Sequence, residues 1–142
     1  MYAQDYARAY RANSILTASP GQLVLMLFDG ALNALAIART ACDDPKRDPR
    51  RFEIINAQLV KAQKIIAELQ GTLNLEAGGE FAKTMYRLYD YYDRRLVEAN
   101  LKKESAPIAE VERLLGDVRT AWAEMLREKD KTGSAPALHQ VA

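Results

Sequence analysis

Ser19-Pro20-Gly21-Gln22, followed directly by Leu23-Val24-Leu25-Met26-Leu27-Phe28, constrains the fold of this chain more than any other stretch. The Ser19 hydroxyl is placed to accept the backbone N–H of Gln22, and the Gln22 side chain to reach back to the N–H of Ser19. Pro20 falls at the first helical position, where a missing N–H costs nothing. A helix is therefore predicted from Pro20 to Cys42, ended by Asp43-Asp44-Pro45 because proline disfavours a helical residue before it. A helix in a small bundle needs one apolar stripe. The six apolar residues from Leu23 to Phe28 cover nearly the whole circumference, and Ala31, Ala34, Leu35, Ile37 and Ala38 prolong the effect.

The rest of the chain repeats the helical period without strand-like alternation. Asp48-Pro49 predicts a second start, and Phe52, Ile55, Leu59, Ala62, Ile66 and Leu69 give a helix over 49–73. After the Gly78-Gly79 turn, Phe81, Met85, Leu88, Tyr92, Leu96 and Ala99 predict one over 80–102. Ser105-Ala106-Pro107 opens a fourth over 107–128, with Ile108, Val111, Leu115, Val118, Trp122 and Met125 on one side. Helices of roughly 20 residues, about 30 Å each, joined by short loops favour an antiparallel up-down four-helix bundle. The expected fold class is all-α, a single domain over 1–128 with a disordered tail over 129–142.

A further short helix is expected over 2–13, where Tyr2, Tyr6 and Tyr10 recur every four residues. An isolated helix this short is marginal in water, so it docks on the bundle or stays mobile. Both arrangements stay open: a permanently packed arm, or a lid over an apolar groove. The tyrosines at 86, 89, 91 and 92 pose a similar choice. They are core rings with wet hydroxyls, or part of a surface that takes an amphipathic partner segment.

The chemistry that is missing narrows the function. The 20 basic residues nearly balance 19 acidic ones, so no global field draws in nucleic acid or anionic lipid. The single cysteine, Cys42, cannot form an internal disulfide and reads as a packing residue. The single histidine, His139, lies in the tail, so paired-histidine metal sites cannot be built and an enzyme is not expected. No glycine-rich phosphate loop occurs. No cofactor or metal is expected. The start of the chain lacks a signal-peptide pattern and the Leu23–Phe28 run is too short to span a bilayer, so a cytoplasmic location without membrane insertion is expected.

One family matches these residues in order. The stretch from Asn13 to Leu23, then Leu25 to Leu32, resembles the N-terminal signature of the FliS flagellin export chaperones. Lys61 to Leu69, Leu88-Tyr89-Asp90-Tyr91, Arg94 to Asn100 and Trp122 are similar to its later helices, so the likeness covers about residues 2–126. The resemblance implies a four-helix core with a short N-terminal helix. It implies binding of the disordered C-terminal segment of flagellin in the cytosol, protection from premature polymerisation, and delivery to a component of the flagellar type III export gate. It carries a client-binding role to Tyr6 and Tyr10 in the N-terminal segment and to Asn13, Ser14, Ile15, Leu16 and Thr17 at the groove edge. Leu23 and Leu27 follow as groove or core residues, and Ile65 and Leu69 as further groove candidates. Phe28 stands where the family often has tyrosine. A self-associating structural bundle and a chaperone of another export substrate are the alternatives.

Overall fold

The computed structural model describes residues 18–132, which form four helices and no strand. Helix α1 is Pro20–Cys42, α2 Arg51–Gly71, α3 Gly79–Lys102 and α4 Ser105–Thr132. The helix expected over 2–13 lies outside the described residues.

Local chemistry accounts for the ends. Ser19 caps α1 in extended conformation, and its Oγ accepts the Gln22 N–H at 3.2 Å. The start of α2 differs from the expected 49. The Asp48 carboxylate accepts the Arg50 N–H and its carbonyl accepts the Arg51 N–H, both at 2.9 Å. Asp48 and Pro49 thus form a turn ahead of the helix, which is entered through Arg50 with no side-chain cap. Lys103 ends α3 in the left-handed region (φ 54°), and the Glu104 N–H returns to the Ala99 carbonyl at 3.2 Å. That closing bond lets α4 begin at Ser105. Pro107 sits in the first turn of α4, where it interrupts no helical bond. Residues 129–132, expected in a disordered tail, continue α4.

The helices form a ring. Each packs on its neighbours in sequence, and α4 closes on α1. Cross-links read out the directions. Between α1 and α4, Asp29 meets Arg119 while Arg39 meets Glu112, so these helices are antiparallel. Between α2 and α3, Asn56, Gln63 and Gln70 meet Asn100, Asp93 and Asp90 in descending order, which is again antiparallel.

One stripe per helix fills the interior. Val24, Phe28, Ala31, Leu35 and Ala38 face Ile55, Leu59, Ala62, Ile66 and Leu69. Met85, Tyr89, Tyr92, Leu96 and Ala99 complete the core with Ile108, Val111, Leu115, Trp122 and Leu126. Each large apolar side chain buried here contributes about 1.5–3 kcal/mol before chain entropy is offset. Trp122 also donates its indole N–H to the Gly21 carbonyl at 2.9 Å, tying the end of α4 to the start of α1. Gly21 packs closely against Leu126: a Cβ there would collide with Leu126 Cδ2, so that side chain would have to shift.

By length and composition α1 could cross a bilayer. In the fold its core stripe packs on α2 and α4, and its two charged residues, Asp29 and Arg39, are ion-paired to α4.

Candidate functional site

Three of the four seams in the ring are latched by polar side chains. Across α1–α4, Arg119 Nε donates to Asp29 at 2.9 Å and Arg39 pairs with Glu112. Across α2–α3 run four hydrogen bonds donated by side-chain amides: Asn100 to Asn56 at 2.9 Å, Gln63 to Asp93 at 3.0 Å, and Gln70 to Asp90 at 2.8 Å and to the Tyr86 carbonyl at 3.0 Å. Across α3–α4, Glu110 accepts Arg95 Nε at 2.7 Å and the Tyr91 hydroxyl at 2.9 Å. These two bonds hold the Glu110 carboxyl below its usual range, and the same carboxylate pushes the Tyr91 phenol up. The Asp90 and Asp93 carboxylates therefore take amides from α2, not the neighbouring arginines of their own helix.

The α1–α2 seam has no such latch: among the described residues no side-chain hydrogen bond or ion pair joins these two helices. The α2-facing flank of α1 is Leu23, Leu27, Gly30, Ala34, Ile37 and Ala41, spaced by three or four. The two helices meet at Gly30, where a Cβ would sit 3.4 Å from Ile65 Cδ1, about van der Waals contact. This pinch divides the seam into two clefts.

The lower cleft holds about 630 Å³ and is lined by Leu23, Val24, Met26, Leu27, Glu68, Gly71 and Thr72. The upper holds about 660 Å³, floored by Ala36, Ile37, Thr40, Ala41, Pro45 and Ile54 and rimmed by arginines 39 and 51 and aspartates 43, 44 and 48. Both volumes are in the range of ligand pockets. Met26 (36%), Ile37 (39%) and Ile54 (42%) expose much of their side chains here, an apolar surplus that the core does not absorb.

Of the residues expected at a groove, Leu23 and Leu27 line the lower cleft. Ile65 lies half-buried at the pinch. Leu69 turns the other way: it is fully buried, because it continues the inward stripe 55, 59, 62, 66. Its expected place in the groove is corrected to the core beneath it. Tyr6, Tyr10, Asn13, Ser14, Ile15, Leu16 and Thr17 lie outside the described residues, which begin at Ala18. The sequence reading missed Met26, Glu68, Gly71 and Thr72. Met26 was visible as the residue of the Leu23–Phe28 run farthest from the core stripe. Glu68 and Thr72 follow from stepping Ile65 onward by three and four.

The tyrosines of α3 divide by helical position. Tyr89 and Tyr92 are buried, edge to face at 6.1 Å, and burial pushes both phenols up. Tyr91 is latched to Glu110, and Tyr86 is the exposed one. They belong mainly to the core and one seam, not to an open groove. Cys42 is half-buried, and burial raises its thiol, which fits packing rather than reactivity. No metal-binding cluster of His, Cys, Asp or Glu occurs among the described residues.

The sequence profile of the family described as flagellar protein FliS matches residues 2–129. A protein of Bacillus subtilis named flagellar secretion chaperone FliS is 40% identical over 136 residues, covering 94% of this chain and 97% of its own length. The Salmonella typhimurium protein of the same name is 39% identical over 121 residues, covering 84% of this chain and 86% of its own. That of Escherichia coli K12 is 36% identical over 131 residues, 89% of this chain and 93% of its own. The match runs through all four helices and the unlatched seam, and the chain belongs to the FliS family of flagellar secretion chaperones.

Proposed function

We propose that this chain is a cytosolic chaperone that binds the disordered C-terminal segment of flagellin, keeps it from polymerising and hands it to the flagellar export gate. The observation that carries the reading is the α1–α2 seam: an apolar surface on a member of this chaperone family, with two clefts and no polar latch across it. An amphipathic segment laid along the seam would bury Leu23, Met26, Leu27, Ile37 and Ile54 together with its own apolar face. Burial removes the surface through which such a segment would otherwise assemble. No bond chemistry is needed. A client disordered when free gives up ordering entropy on binding, about 2–5 kcal/mol of the gross contact energy. That keeps the complex releasable.

Calorimetry with a synthetic peptide of flagellin's C-terminal segment tests the reading. Met26→Glu places a charge in the lower cleft at a position already partly in water. It is expected to weaken binding by at least tenfold, about 1.4 kcal/mol, with an unchanged helical circular dichroism spectrum. Undiminished affinity in this variant would remove the lower cleft from the site.

A further inference from the structure

The unlatched seam contains one polar side chain with unmet demand. Gln58 lies on the α1-facing line of α2, which steps through Arg51, Ile54, Gln58, Lys61, Ile65, Glu68 and Thr72. The ends of that line meet α1 in the two clefts and its middle meets Gly30. Stepping the antiparallel register by two turns from Ile65 and Gly30 brings Gln58 opposite Ile37, one turn inward of Ile54, which lines the upper cleft. Gln58 Oε1 is buried, and no donor among the described residues reaches it. The amides of the α2–α3 seam all find partners at 2.8–3.0 Å. Gln58 is the exception, on the one seam left apolar.

A buried carbonyl oxygen without a donor destabilises the free protein, and an apolar side chain of the same size would pack there at lower cost. We propose that Gln58 is a specificity-determining residue of the client seam: its half-buried side chain turns outward and accepts a hydrogen bond from a polar side chain that interrupts the apolar face of the bound segment at the level of Ile37. The proposal rests on the flagellin-chaperone reading and goes beyond it by fixing register and client chemistry. The segment fills the lower cleft near Leu27 and the upper near Ile37, centres ten residues apart on α1, about 15 Å. Its polar donor falls toward the upper end of that interval. A purely apolar segment of equal length would leave the Gln58 carbonyl buried without a donor and bind less well.

The test compares the full-length chain with Gln58→Met, which keeps the length and removes the amide. Thermal melts and calorimetry with the flagellin C-terminal peptide are run on both. The variant is expected to melt at or above the wild-type temperature and to bind about tenfold more weakly, the loss of one hydrogen bond of roughly 1.4 kcal/mol. In a scan of the peptide's polar residues to alanine, one position should lose affinity with the wild type and none with the variant. Unchanged affinity overturns the proposal, and so does a joint fall of melting temperature and affinity, which would make Gln58 a structural residue. A wild-type chain that does not bind the peptide overturns the functional reading itself, whereas binding indifferent to Gln58→Met overturns only this proposal.

Discussion

Replacing Trp122 with phenylalanine probes how the start of α1, and with it the lower cleft, is held. The indole ring is almost fully buried, and its N–H donates to the Gly21 carbonyl at 2.9 Å across 101 residues of chain. Phenylalanine fills most of the ring volume but cannot donate. The lost hydrogen bond is worth about 1 kcal/mol, and a further penalty follows from leaving a buried carbonyl one donor short. The smaller ring removes another 1 kcal/mol or so of packing. A total of about 2–3 kcal/mol is expected, which lowers the melting temperature by roughly 6–12 °C for a chain of this size. Because Trp122 is the only tryptophan, unfolding is followed by circular dichroism in urea, with an equal slope required of both proteins. Fraying of the first turn of α1 displaces Leu23 and Met26, so flagellin-peptide affinity should fall as well. A stability loss below about 0.5 kcal/mol would refute the reasoning, because it would mean that the bond to Gly21 does not hold the two helix ends together.

Two further consequences follow from local geometry. Lys103→Gly should stabilise the fold by about 1 kcal/mol, read as a shifted urea midpoint. A lysine at φ 54° bears the left-handed strain that glycine lacks, although its Nζ bond to Asn100 is lost. Acid should destabilise the bundle through Glu98 and Glu110, both held below the usual 4.5, chiefly by hydrogen bonds to Lys102 and Arg95 respectively. A carboxyl whose folded value is depressed adds stability above its unfolded value, and that stability is lost as pH falls through the folded value. The urea midpoint should therefore drop below about pH 4.5, and Glu110→Gln should flatten that drop.

The helices were legible because their signals are local. Ser19 capping Gln22 and Pro20 at the first position mark the start of α1, and the inward stripes of all four helices are set by spacing along one segment. Family membership was legible for the same reason, since its signature is a contiguous run of residues. The apolar excess of α1 could also be counted from Leu23 to Phe28. Where that excess goes could not be. Whether Leu27 or Leu69 meets a visitor depends on how each helix is rotated against its neighbours, and both sit on equally apolar sequence. Asp29 finds Arg119 and Gln70 finds Asp90 only after closure of the ring brings distant segments side by side. The same closure leaves Gln58 without a donor and one seam without a latch. Periodicity along a chain reports which face is apolar; register across a seam, decided by the packing of whole helices, selects which polar groups pair and which apolar surface stays open.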